Sequence, residues 1–364
     1  MSNRENPSRR DLLRGLTQTT LPASETERQA LKIDPTEETY LLRIGRRAMA
    51  CEFQIFLNAG QYEHDTQACL AALDRVEELE QILSVYQEDS EVSLVNQRAS
   101  SETVTVGREV SELLELSLNL YHETEGAFDV TAGILSEIWG FARRSGAMPA
   151  ADQLSQALEK VGSQHVELEG QTVRFRQAEI QINFGGIGKG YALDCSAEKL
   201  TQAGFEHFLF HGGKSSVMAR GQRSAEGGPV PWTVGLIHPL RPEQRLAEIS
   251  LPDRALSTSG SRTQSFHFQG RRYGHILDPR TGSPAEGVYS VTVLADCAAT
   301  ADALSTALFV LGPQRAGEFC RRHPEIAVLL VLPNSNQGSV VIETHNLDQD
   351  AWRVLDDTAI IRVC

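Results

Sequence analysis

At 364 residues, with 41% hydrophobic and 23% charged residues, the chain has the make-up of a soluble globular protein, long enough for one large domain or two modest ones. Its net charge of −14 argues against a nucleic-acid partner, because phosphate backbones demand a basic surface. No apolar run approaches the roughly 18 residues of a membrane span, and the six scattered cysteines, with no C-x-x-C pair and no zinc-type histidine spacing, read as reduced thiols.

Residues 1–38 are polar and lack hydrophobic periodicity, which predicts a flexible tail ahead of a domain covering 39–364. Within the tail, Ser8-Arg-Arg-Asp-Leu-Leu-Arg14 resembles the start of a twin-arginine export signal, but Gly15 to Glu25 supplies no apolar h-region. The expectation is a cytoplasmic protein, with the periplasm as the alternative.

In Cys51 to Leu57, Phe53, Ile55 and Leu57 alternate as in a half-buried strand. Residues 67–86 carry Leu70, Leu73, Val76, Leu79, Ile82 and Leu83 at helical spacing, and a second helix is predicted over 109–123. Strand-like runs follow at Glu179 to Phe184, His207 to Phe210, Trp232 to Ile237, Tyr289 to Leu294, Ala327 to Leu332 and Ala359 to Val363. The order of these elements reads as α+β, not as regular βαβ alternation.

Three stretches carry candidate chemistry. Gln181-Ile-Asn-Phe-Gly-Gly-Ile-Gly-Lys-Gly-Tyr-Ala-Leu-Asp194 runs from an extended segment through four glycines and a lysine into a predicted helix. Such a loop either cradles a phosphate against a helix N-terminus or is only a tight turn. The P-loop pattern fails, because Asn183 and Gly190 stand where a Gly and a Ser or Thr are required, and the G-x-G-x-x-G spacing fails too.

Tyr273-Gly-His-Ile-Leu-Asp-Pro-Arg-Thr-Gly282 joins a histidine, an aspartate and a turn, with the hydroxyls and turn of Ser257-Thr-Ser-Gly260 just before it. His275 is either a proton acceptor or a structural histidine bonded to Asp278 or to the backbone. The helix predicted after Asp296, its expected N-cap, ends at Gly312 and Pro313. On it Asp302, Ser305 and Thr306 share a face, a set that either binds a hard cation such as Mg²⁺ or is a solvated or internally hydrogen-bonded face.

Taken in order, these segments resemble the FAD:protein FMN transferase family, the ApbE-type flavin transferases, from about residue 40 to 345. Arg47 to Ile55 looks like the family's M-G-T strand, and Ser84 to Asn96 is similar to its Y-x-x-D-S segment. Thr124-Glu-Gly-Ala-Phe-Asp-Val-Thr131 looks like T-x-G-x-F-D-[PV]-T. The glycine loop resembles D-L-G-G-I-A-K-G-Y-A-[VL]-D, His275 to Gly282 matches H-I-[IL]-D-P-[RK]-T-G, and Asp302 to Thr306 fits D-A-L-x-T.

The resemblance implies a single large mixed α/β domain with two packed subregions and FAD in the cleft between them. It implies Mg²⁺-dependent transfer of FMN from FAD to a Thr or Ser hydroxyl of an acceptor protein carrying a D-x-x-[ST]-G-[AS]-T-like segment, with AMP leaving. FAD contacts then fall on Met49, Tyr86, Ala127, Phe128, Asp129, Asn183, Lys189 and Ile276. Metal ligation falls on the Gly186 carbonyl, Asp302 and Thr306, and His275 is the base.

Two departures qualify the match: Asn183 replaces the usual Asp, and Lys214 stands where Asp or Asn is usual. An FAD pyrophosphatase, with water in place of the hydroxyl, and a non-catalytic FAD-binding protein are the alternatives.

Overall fold

The computed structural model describes residues 40–364 apart from 262, 263 and 337. The polar tail and its twin-arginine-like motif lie outside the described residues. The architecture is mixed α/β, built on one nine-stranded sheet. Its strands are β1 (Leu41–Ala48), β2 (Cys51–Asn58), β3 (Phe208–Gly212), β4 (Ser216–Arg220), β5 (Ala255–Gly260), β6 (Ser290–Ala295), β7 (Ala327–Pro333), β8 (Val340–His345) and β9 (Ile360–Val363).

Spatial order follows chain order, and neighbours pair antiparallel except β8 and β9, which are parallel. Four helices matter for the site: α1 (Asp65–Leu83), α2 (Arg108–Glu123), α3 (Gly188–Gln202) and α4 (Ala298–Arg322).

The sheet separates two cores. Phe53, Ile55 and Leu57 of β2 join Leu73, Val76 and Leu79 of α1 and Ala301, Leu304 and Leu308 of α4 in the larger one. The second lies under the strands Val230–Ile237 and Arg245–Leu251, with Trp232, Leu246 and Ile249 at its centre. Strand β7 shows why its sequence is an unbroken apolar run: Val328 and Leu330 enter the first core while Leu329 and Val331 enter the second. A strand covered on both faces has no polar side to display.

Three local expectations are corrected. Glu179 to Phe184 is not a strand: Glu179 sits in a turn with φ 66°, and residues 180–184 join no ladder among the described residues. Instead the Asn96 side chain takes a partner's place, accepting from Ile182 N–H at 2.8 Å and donating to Ile182 C=O at 2.9 Å. Ser257 to Gly260 is not a turn but part of β5 in the middle of the sheet. Helix α4 is preceded by Cys297 at the N-cap position, while Asp296 lies exposed beside Arg254. The chain does leave helical geometry at Gly312, with φ 73° and ψ 176°, and resumes from Pro313. Glycine tolerates that φ, and proline suits a first helical turn.

Helices α3 and α4 start against one another, and Gly190 makes this possible. A Cβ at 190 would overlap the Ala298 carbonyl and crowd Ala299. None of Gly185, Gly186, Gly188 and Gly190 has a positive φ. Gly190 therefore serves close approach, not an unusual backbone angle. Gly190→Ala is expected to lower stability by about 1–3 kcal/mol or more through overpacking against backbone, read as a fall in the urea midpoint. An unchanged midpoint would show that the two helices can part without cost.

Candidate active site

The helix α3–α4 junction is organised by two carboxylates. Asp194 of α3 accepts from Ala298 N–H at 2.7 Å and Ala299 N–H at 2.8 Å, and so caps α4 from outside its own chain segment. Desolvation between the helices pushes the Asp194 carboxyl up to about 6, against the pull of those two N–H donors. Asp302, 5% exposed on the second turn of α4, reaches back to α3. Its Oδ2 accepts from Lys189 Nζ at 3.1 Å and from Gly190 N–H at 3.2 Å. Its Oδ1 accepts from Ser216 Oγ at 3.1 Å and Ser257 Oγ at 3.0 Å. One helical turn on, Thr306 Oγ1 lies 3.0 Å from Ser259 Oγ.

The glycine loop makes less of an N–H cradle than its sequence suggests. Gly185 N–H donates to Asn183 Oδ1 at 2.8 Å, Ile187 and Gly188 N–H donate to the Phe184 carbonyl, and Gly190 N–H donates to Asp302. Backbone donors are thus largely engaged within the protein. Positive charge at the junction rests on the Lys189 ammonium. Asn183 uses only its carbonyl oxygen in the turn, an acceptor role that an aspartate fills equally.

The predicted contact residues line several pockets, and Tyr86 and Asn183 also border a cavity of about 260 Å³ with Gly133 and Gln181. Met49 and Ala50, in left-handed conformation between β1 and β2, line a cavity of about 210 Å³ with Tyr86, Asn183, Gly185 and Lys189. Tyr86 is 80% exposed at its rim, leaving a ring face open to a planar ligand. His275 lines a separate cavity of about 490 Å³ with Phe141, Arg144, Gln264 and Phe266.

The His275 Nδ1 lies 3.0 Å from the Gln264 carbonyl, an acceptor only. Nδ1 therefore carries the proton, and Nε2 keeps its lone pair. Burial pushes the His275 pKa below the usual histidine value, and the nearby Lys189 charge adds to this, opposed by the Gln264 bond. Asp278 is not its partner: that carboxylate is held by Arg280 at 2.8 Å.

The other predicted positions sit behind these surfaces. Ala127, Phe128 and Ile276 are buried, and the Phe128 ring lies beside Gly186. Asp129 lines none of these cavities; its Oδ1 accepts from Thr131 and from Ser163 Oγ, and its Oδ2 from Ser163 N–H, tying two loops together. Lys214 is exposed between β3 and β4 and forms no ion pair among the described residues. Sequence reasoning placed Asp194 at the end of the glycine stretch and Ser257 among the hydroxyls before His275 but gave neither its contact, and it gave Ser216 no role.

The chain is similar to known proteins in sequence and in fold. The ApbE family model matches residues 49–330. The FAD:protein FMN transferase of Vibrio cholerae is 34% identical over 273 residues, covering 74% of this chain and 80% of the relative. That of Treponema pallidum is 33% identical over 282 residues, covering 72% and 78%.

Among solved structures, the ApbE protein of Thermotoga maritima superposes with a TM-score of 0.72 at 30% identity, covering 80% of this chain and 94% of that one. The apo flavinyl transferase ApbE of Pseudomonas stutzeri gives 0.74 at 28% identity, covering 84% and 95%.

Proposed function

The chain belongs to the ApbE family, and from that premise we propose that it is an FAD:protein FMN transferase, moving FMN from FAD onto a Thr or Ser hydroxyl of an acceptor protein. The observation that carries the reading is the Lys189–Asp302 pair at the meeting of two helix starts. A cation-and-carboxylate pair together with a neutral histidine suits phosphoryl transfer, which needs charge neutralised and a hydroxyl deprotonated.

The residues at the junction fit a hard divalent cation. Asp302 and Thr306 offer oxygen ligands one turn apart, the Gly186 carbonyl is the third oxygen expected there, and the Lys189 ammonium already sits on Asp302 as a single positive charge. A bound Mg²⁺ would supply Lewis-acid neutralisation of the pyrophosphate oxygens.

The chain's own groups account for the rest of the reading. Met49, Tyr86 and Asn183 hold FAD in the cavity they line together. Lys189 turns its ammonium from Asp302 to the pyrophosphate. His275 Nε2 takes the proton of the acceptor hydroxyl as its oxygen bonds to the FMN phosphorus. The bond from that phosphorus to the bridging oxygen breaks, and AMP departs with the electron pair.

The test is to incubate the full chain with FAD, Mg²⁺ and a protein bearing a D-x-x-T-G-A-T segment. The expected result is a mass gain of one FMN on the acceptor with release of AMP. FMN and AMP accumulating without adduct would replace transfer by hydrolysis, and FAD bound but unchanged would leave a binding protein.

A further inference from the structure

Asp302 is gripped from below by two serines that the proposed reaction does not use. Ser216 on β4 and Ser257 on β5 are both fully buried, at 0% exposure, and stand on neighbouring strands in directly paired register. Their hydroxyls converge on one carboxylate oxygen, Oδ1, at 3.1 and 3.0 Å, and lie 3.3 Å from each other. A carboxylate accepts and cannot donate, so each serine supplies its single proton to Oδ1.

The other oxygen is held differently. Oδ2 has one fixed donor, the Gly190 N–H, and is the nearer contact of a movable one, the Lys189 ammonium, which lies 3.1 Å from Oδ2 and 3.5 Å from Oδ1 on a flexible stem. The two oxygens of one side chain are therefore unequal: when the ammonium moves away, Oδ1 keeps two buried hydroxyl donors from the sheet, and Oδ2 keeps one N–H and is free to take another cation.

We infer that Ser216 and Ser257 are positioning residues that force Asp302 to bind a cation through Oδ2 alone, and so select Mg²⁺ over Ca²⁺ at this site. The inference rests on the metal reading above. Mg²⁺ is small, demands near-ideal octahedral geometry and accepts single carboxylate oxygens, whereas Ca²⁺ takes six to eight ligands and often both oxygens of one carboxylate. Oδ1 engaged by two buried hydroxyls is withheld from the second mode. Ser259, which faces Thr306 Oγ1 and Ser305 Oγ, extends the same hydroxyl lining along β5 beneath the next turn of α4.

The experiment is calorimetric titration of the full chain, without FAD, with Mg²⁺ and separately with Ca²⁺, for the wild type, Ser257→Ala, Ser216→Ala and the double variant. Thermal melts establish that each is folded, and the single variants serve if the double one is not. In the wild type Mg²⁺ should bind more tightly than Ca²⁺, and Asp302→Asn should abolish both titrations.

In the double variant the ratio of Ca²⁺ to Mg²⁺ affinity should rise roughly tenfold, the scale of one hydrogen bond to a charged group. A merely structural pair would lower the melting temperature and leave the ratio where it was, and that result would overturn the inference. Cation binding that survives Asp302→Asn would overturn it together with the metal reading, whereas a wild type that prefers Mg²⁺ but whose serine variants keep the same ratio would sink the inference alone.

Discussion

Asp302→Ala is expected to reduce FMN transfer by about 10²–10³-fold or more, the scale on which losing one preorganised electrostatic group slows an enzyme. Four donors lose their acceptor at once: Lys189 Nζ, Gly190 N–H, Ser216 Oγ and Ser257 Oγ. Lys189 is partly buried, so its charge is left without a counterion in a poorly solvated place, a more serious loss than that of an exposed pair.

The decisive comparison is with Asp302→Asn, which keeps the volume and one oxygen acceptor while removing the charge. Both variants should lose Mg²⁺-dependent turnover, but the asparagine should retain more of the melting temperature. Normal turnover in either, measured over a Mg²⁺ titration, would remove Asp302 from the reaction.

His275→Ala is expected to lower the transfer rate by about 10²–10⁴-fold, the usual worth of a positioned base, while FAD binding changes little, because the residue lines the cavity away from Met49 and Tyr86. The pH dependence gives a sharper check than the rate alone. Only the neutral imidazole can accept a proton, and burial, helped by Lys189, depresses the His275 pKa below its usual 6.5.

Activity should therefore hold as pH is lowered from 7 toward 6.5, and fall only as pH drops through the depressed value and Nε2 becomes protonated. The alanine variant should keep its residual rate across that interval. An acid limb that survives in the variant would assign it to another group, and an unaltered rate would exclude His275 as the base.

Much of the fold was legible wherever burial imposes a period. The alternation of Phe53, Ile55 and Leu57 marked β2, and the spacing of Leu73, Val76 and Leu79 marked α1. Strand β5 escaped because its last four residues are Ser-Thr-Ser-Gly, which favour turns. They form a strand here because their hydroxyls meet polar partners across the sheet and on α4: Asp302, Thr292 and Ser305.

The motif-bearing site residues were likewise visible, while their division of labour was not. Asp278 pairs with Arg280 within its own turn, two residues on, whereas the bond of His275 to the Gln264 carbonyl comes from a segment eleven residues back that the motif does not contain. The reason for Gly190 lay in the Ala298 backbone, more than a hundred positions away in the sequence.

The sheet's simple order has one long interruption, and it bears on how the protein folds. Strands β3 to β8 can add to their predecessors antiparallel in chain order, but β3 meets β2 only after residues 59–207 have been looped out. Lys189 belongs to that excursion, whereas Ser216, Ser257, His275 and Asp302 all follow it. The Lys189–Asp302 pair closes a second long loop, of 113 positions, and closing either one costs entropy that local hairpins do not face. On the proposed reading, FAD and its cation would bind at that junction and so add stability to a long-range contact, in proportion to the logarithm of their concentration over Kd.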